Sequence, residues 1–341
     1  MKANLWVAGF AAAAMTSIIP VAAMAKTRLV VNCFWSPQHF VCADVLPGWL
    51  AEVEKVTEGR VVGNIPPKSV APPPEQLNSV EKGVVDAAVQ FNGLIGNRVN
   101  GALTAMQPFS GNGSAVALTQ AAWETNQKFY PNEFDSVELL SQWVITSGNL
   151  FSDTDTPIVT LDDFKSRKIW ALPGPLANIA KELGAGVVST PAVQSNEVIS
   201  NGVVDSHIGL NGEGLTSFQV LPYTKSMTRF SSSIYRTTFS FFINKDKWAE
   251  ISPEDQAAIR ALSQETIGAT AADLWEKADD VYDTFEANGI KVVDADPALE
   301  AAMVERSAVV IDAWKEKSKA AGIDADAALA FYLQRATELS K

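Results

Sequence analysis

The sequence predicts an α/β protein built as two open α/β lobes joined by crossing strands and a long helix. Three observations carry that expectation. Strands and helices alternate twice in the same order, a short segment recurs between the two runs, and residues 253–341 carry helical signals alone.

The first run begins with an apolar, β-rich stretch at Thr27 to Asn32. Ser36-Pro37 then supplies a cap and a first-turn proline, and Val41 to Val56 has helical apolar spacing. A strand is expected at Arg60 to Ile65, a Pro-rich loop at 66–74, a helix at Glu75 to Lys82 that Gly83 ends, and a strand at Val84 to Phe91. The second run repeats the order: strand Lys168 to Ala171, helix Pro175 to Leu183, strand Gly186 to Ser189, helix Asn196 to Asn201, strand Val203 to Leu210. In one register, Gly83-Val84-Val85-Asp86 falls on Gly202-Val203-Val204-Asp205 and Asn92-Gly93 on Asn211-Gly212. Duplicated lobes explain the match better than a chance recurrence of a helix–Gly–strand junction.

Thr228 to Asn244 reads as a strand returning from the second lobe to the first. Ser252-Pro253-Glu254-Asp255 opens a helix expected to run to about Ala287, roughly 50 Å long at ~1.5 Å per residue and so long enough to cross both lobes. Two more amphipathic helices, about 297–320 and 325–339, close the chain. The expected boundaries are 1–25 for a signal peptide, 26–148 plus 236–252 for lobe one, 149–235 for lobe two, and 253–341 for the bridging and C-terminal helices.

The signal peptide is read from Met1-Lys2, an apolar run from Leu5 to about Val21, and the small-x-small site Ala23-Met24-Ala25. Ser17 and Pro20 interrupt the run, which falls short of the ~20 continuous apolar residues of a membrane span. Cleavage after Ala25 would release a soluble periplasmic protein starting at Lys26. In that oxidising compartment Cys33 and Cys42, the two cysteines of the chain, form either a disulfide or two buried thiols. With 341 residues and 47% apolar content the chain can bury two cores, while a net charge of −12 gives no footprint for nucleic acid. His39 and His207 stand in no metal-ligand spacing with the cysteines, so no metal and no cofactor are expected.

In open α/β sheets ligands bind beyond the carboxyl ends of the strands. That rule selects Phe34 and Trp35 after the first strand, Lys68 after the second, Gln90, Phe91 and Asn92 after the third, and Trp170, Asn211 and Glu213 in the second run. The two Asn-Gly pairs serve either as ligand amides on opposite walls or as tight turns with positive φ. The rings of Trp35 and Trp170 suit an apolar or cationic ligand. Arg236, on the returning strand, is the first choice of counter-charge for an acid, before Lys68 and Arg98.

The chain resembles the solute-binding subunits of tripartite ATP-independent periplasmic (TRAP) transporters over nearly all of the mature sequence. The resemblance rests on both Gly-Val-Val-Asp segments, on Thr160-Leu161-Asp162-Asp163-Phe164-Lys165 leading into Lys168-Ile169, and on Pro173-Gly174. It rests also on Asn244-Lys245-Asp246-Lys247-Trp248 followed by Ile251-Ser252-Pro253-Glu254-Asp255-Gln256. It implies a periplasmic binding protein-like fold and a monomer that closes on a small organic molecule, an organic acid, aromatic or not, then hands it to membrane permease subunits. The position after Lys-Ile, where the family places an Arg on the ligand's carboxylate, is Trp170 here. A second family Arg falls near Asn149. Two alternatives stand beside this reading: a neutral or cationic ligand held by aromatic residues, and an exported enzyme, for which no Gly-x-Ser-x-Gly elbow or metal set is found.

Overall fold

The structure, a computed structural model, describes residues 26–341; the expected signal peptide lies outside the described residues. Two sheets divide the strands. The first contains β1 (Thr27–Asn32), β2 (Val61–Asn64), β3 (Ala87–Phe91), β4 (Val137–Val144) and β10 (Thr238–Asn244) in the order β2-β1-β3-β10-β4. The second contains β5 (Leu150–Ser152), β6 (Lys168–Ala171), β7 (Gly186–Val188), β8 (Ser206–Ile208), β9 (Ser226–Arg229) and β11 (Lys291–Asp294) in the order β11-β9-β5-β8-β6-β7. In each sheet the strands joined through helices run parallel, while the strands that arrive from the other lobe, β10 and β5, run antiparallel to their neighbours.

The repeated segment has the same work in both sheets. Gly83 and Gly202 each end a short helix at φ +65, where a side chain would be strained. Asp86 then pairs with Val30 of β1, its backbone N–H donating to the Val30 carbonyl and its carboxylate accepting from the Val30 N–H. Asp205 makes the same two bonds with Lys168 of β6. The carboxylate therefore fixes the start of one parallel strand against its neighbour. Neither Asn-Gly pair is a positive-φ turn: Asn92 opens a 3-10 turn at Asn92–Ile95, and Asn211 caps the helix Gly212–Ser217 by accepting from the Gly214 N–H.

Two chain segments cross between the lobes side by side. The Ile145 N–H donates to the Thr237 carbonyl and the Gly148 N–H to the Tyr235 carbonyl. Gly148 lies so close to Gly209 that a Cβ would come 2.5 Å from the Gly209 carbonyl oxygen. The helical rod beginning at Pro253 crosses the same junction. It changes winding along its length: α-helix to Ser263, a π turn over Gln264–Ala269, α-helix over Thr270–Ala278 and a 3-10 stretch over Asp279–Thr284. The single regular helix expected here is thus four pieces. At the π turn Gln264 accepts from the Ser141 hydroxyl and the Gln142 N–H and donates to the Gln142 carbonyl, so side-chain bonds to β4 replace regular winding.

Beyond the rod the chain adds β11 to the edge of sheet two, a strand where the sequence suggested helices alone. The helix Pro297–Ala320 caps through Asp296 and reaches lobe one, where the Trp314 indole N–H donates to the Asn100 carbonyl. The last helix, Ala325–Leu339, packs on Ala115–Phe129 through Tyr332, Ala336, Leu118 and Ala121.

Candidate ligand-binding site

A cavity of about 50 Å³ lies where the lobes meet. From lobe one Phe34 and Trp35, just past β1, and Phe91, at the end of β3, form one wall. From lobe two Leu172, the 191–193 segment, Asn211, Glu213 and Phe218 form the opposite one. Ile145 and Thr237, on the two crossing segments, close the hinge side; Phe239 of β10 and Trp275 of the rod complete the enclosure. The rings pack on one another: Phe34 stacks on Trp35 at 3.9 Å between centroids, Phe239 on Trp275 at 5.6 Å, and Trp143 on Phe239 at 5.4 Å. Such a rigid aromatic frame contributes packing area while little conformational freedom is lost on binding.

A buried polar cluster borders the rings. Glu213 of lobe two places Oε1 2.8 Å from Nε2 of His39 in lobe one, a close polar contact between two side chains 5% and 1% exposed. Its Oε2 accepts from the Trp275 indole N–H at 3.2 Å. One carboxylate thereby ties lobe two to lobe one and to the rod. Val41 donates its N–H to Nδ1 of His39, which leaves the ring proton on Nε2, facing Glu213. His39 also stacks on Trp35 at 4.7 Å. Cys33 and Cys42 are disulfide-bonded, and the loop they close carries Phe34, Trp35 and His39.

Beside this cluster Asp279, at the end of the rod, accepts from the Gly212 N–H, and burial pushes its carboxyl up to about 6. Asn211 donates to Thr146 on the crossing segment and accepts from the Gly214 N–H. Its side chain is thus a joint between lobe and hinge as well as part of the wall.

Of the eleven residues singled out from the sequence, Phe34, Trp35, Phe91, Asn211 and Glu213 reach the cavity. The other six do not line it. Lys68 faces a separate groove on lobe one beside the disulfide and Pro66. Gln90 is consumed by the Leu77 N–H and the Pro73 and Phe91 carbonyls, and Asn92 by Thr238 and Ser240, so both tie loops to the sheet. Asn149 donates to the Tyr282 hydroxyl.

Trp170 is fully buried and donates its indole N–H to Thr190, which backs the 191–193 wall from behind; Leu172 takes the place on the wall. Arg236 spans the hinge, donating to the carbonyls of Ile145 and Gly113, with no carboxylate on its guanidinium. Burial removes Trp170 from the ligand space, and internal hydrogen bonds hold Gln90 and Asn92 to the sheet.

Residues that sequence reasoning passed over include His39, Thr237, Phe239 and Trp275. His39 carried one usable signal, its place inside the Cys33–Cys42 loop next to Trp35. Trp275 carried none, because the turn of a long helix that meets the cleft is decided by packing.

Two α/β lobes that close on an aromatic cavity at their junction define a two-lobed solute-binding protein. The description of the bacterial extracellular solute-binding protein family 7, DctP, matches residues 31–317, and this chain belongs to that family, the solute-binding subunits of TRAP transporters. Over 330 residues it is 31% identical to a protein of Comamonas testosteroni named outer membrane transporter protein TsaT, covering 95% of this chain and 96% of that one. A TRAP periplasmic solute-binding protein of Bordetella bronchiseptica with bound (R)- and (S)-mandelate superposes with a TM-score of 0.84 at 32% identity, over 92% of this chain and 99% of that one. A marine metagenome TRAP solute-binding protein from an unidentified microbe, in complex with 3-hydroxybenzoate, shares the fold at a TM-score of 0.82 and 21% identity, over 93% of this chain and all of that one.

Proposed function

We propose that this protein is a monomeric periplasmic receptor, exported by a signal peptide cleaved after Ala25, that captures a small aromatic carboxylic acid between its lobes and delivers it to a TRAP-type permease without chemical change. The moving bodies are 26–148 with 236–252 and 149–235, hinged at the two crossing segments. The observation that carries the reading is the cavity itself: rings from lobe one, lobe two and the rod enclose one slot, at the place where strand ends converge. Mandelate in the Bordetella bronchiseptica relative is an aromatic acid, and its chain is similar to this one over almost all its length.

Closure is a shift between open and closed states, and the ligand stabilises the closed one through contacts it makes only when both walls are present. No catalytic step and no nucleic acid partner enter this reading. Titration of the purified protein with mandelate, benzoate and 3-hydroxybenzoate, followed by calorimetry and Trp fluorescence, is expected to show one-to-one binding with the ligand recovered unaltered. Binding of saturated dicarboxylates in preference to all three aromatic acids contradicts the ligand class; conversion of the ligand contradicts a receptor.

A further inference from the structure

Glu213 is the one charged side chain on the cavity wall, and no lysine or arginine lines it among the described residues. Its carboxylate is 5% exposed, lies 2.8 Å from Nε2 of His39 and accepts from Nε1 of Trp275. Nδ1 of His39 accepts from the Val41 N–H, so Nε2 is the ring nitrogen that faces Glu213, and Glu213 remains the charge that the cavity wall presents.

The other charged and titratable groups nearby, Asp279, Tyr282 and Arg236, lie off the cavity wall. Asp279, packed under Gly212, is itself an acid, whose carboxyl is held above its ordinary value by burial and then by the nearby Glu213. Tyr282, beside Asp279, is held protonated by burial. Arg236, the cation nearest in the hinge, is committed to the Ile145 and Gly113 carbonyls. The anion of an aromatic acid therefore enters a low-dielectric slot that already holds a carboxylate, and two carboxylates in contact there do not both stay ionised.

We infer that Glu213 is the specificity-determining residue of this cavity and admits a carboxylic acid together with one proton, shared between the ligand's carboxyl group and its own. This rests on the aromatic-acid reading above. The balance is simple: ligand anion, Glu213 carboxylate and one proton from solvent give a hydrogen-bonded acid–carboxylate pair. The cavity keeps its single negative charge, and no covalent bond other than that to the proton is made or broken. A permanently charged anion such as a sulfonate, which cannot take up a proton near neutral pH, is excluded by the same residue, whereas a carboxylic acid of equal shape is admitted.

The test is calorimetry of mandelate and benzoate binding in buffers of different ionisation enthalpy between pH 5.5 and 8.5. Uptake of close to one proton is expected, with affinity falling about tenfold per pH unit over the range in which the free carboxyls are ionised and the bound pair still holds its proton. Glu213→Gln is expected to take up no proton, to bind with a flat pH profile, and to bind at pH 8 at least tenfold tighter than the parent. Benzenesulfonate is expected to bind Glu213→Gln and not the parent.

The parent measurement needs no variant, so it decides the matter even where Glu213→Gln fails to fold. Tight benzoate binding with no proton uptake and no pH dependence overturns the inference while leaving the receptor for aromatic acids intact. Failure of every aromatic acid to bind at any pH removes the aromatic-acid reading, and this inference with it.

Discussion

Replacing Cys33 and Cys42 together by Ser separates what the disulfide does for the fold from what it does for the site. The bond spans nine positions of sequence and closes the loop that bears Phe34, Trp35 and His39. Chain entropy for a loop of that size gives a loss of about 2.6 kcal/mol on removing the bond. With about 2.1 cal/mol/K of unfolding entropy per residue, that is a drop of ~4 °C in melting temperature if the described chain unfolds as one unit.

The loop's other backbone ties are short ones, His39 N–H to the Ser36 carbonyl and the Cys42 and Ala43 N–H groups to the His39 carbonyl, and beyond them its side chains rest on Phe239, Trp275 and Glu213. They position it less firmly than the covalent bond, so cavity residues must be ordered at the moment of binding. An affinity loss of at least tenfold, about 1.4 kcal/mol, is the expected result. Thermal unfolding by circular dichroism reads the first quantity, and calorimetry with mandelate well below the melting point reads the second. A variant that melts lower yet binds as tightly as the parent refutes the argument that the bond preorganises the site.

Gly148→Ala places a Cβ against the Gly209 backbone just past β8, which has no flexible end to give way, so the crossing segment is expected to move off lobe two there; small-angle scattering with saturating ligand should show a more open particle than the parent. Trp275→Phe keeps the ring but removes the N–H that Glu213 accepts, an expected cost of ~1–3 kcal/mol in unfolding by denaturant. Trp170→Ala, buried and bonded to Thr190, is expected to destabilise by ~3–5 kcal/mol as a core deletion, with a lowered denaturant midpoint as the readout.

Asp279 supplies the pH prediction. Its carboxyl is raised in the fold to about 6 from 3.8, so its contribution to stability is fully present below the unfolded value and lost as pH rises through the folded one. Asp279→Asn should therefore gain on the parent by about 3 kcal/mol between pH 3.5 and pH 7, measured as the difference in unfolding free energy; a constant difference across that range contradicts the burial argument.

Strands and helices of both lobes were legible because their signals are local. Pro at first helical turns, Ser252 as a cap, and apolar runs of four to six residues fix elements within a few positions of where they occur. The repeated Gly-Val-Val-Asp was legible as a duplication for the same reason, since one glycine conformation and one carboxylate-to-backbone bond serve each copy. The edge strand β11 was not, because Lys291–Asp294 is a short, exposed segment that becomes a strand by pairing with β9.

By itself the sequence determined two duplicated α/β lobes, the strand ends that converge on a cleft, and an aromatic loop between two cysteines. It could place Trp170, Asn92 and Arg236 near that cleft but not say which way each would turn. Tertiary structure alone decided that these side chains spend their polar groups on Thr190, on Thr238 and Ser240, and on the hinge carbonyls. It likewise brought His39, Glu213 and Trp275 together from three segments. The physical reason is range: local periodicity and capping depend on neighbours in sequence, whereas the facing of a buried polar group depends on partners that arrive from 20 to 148 residues away.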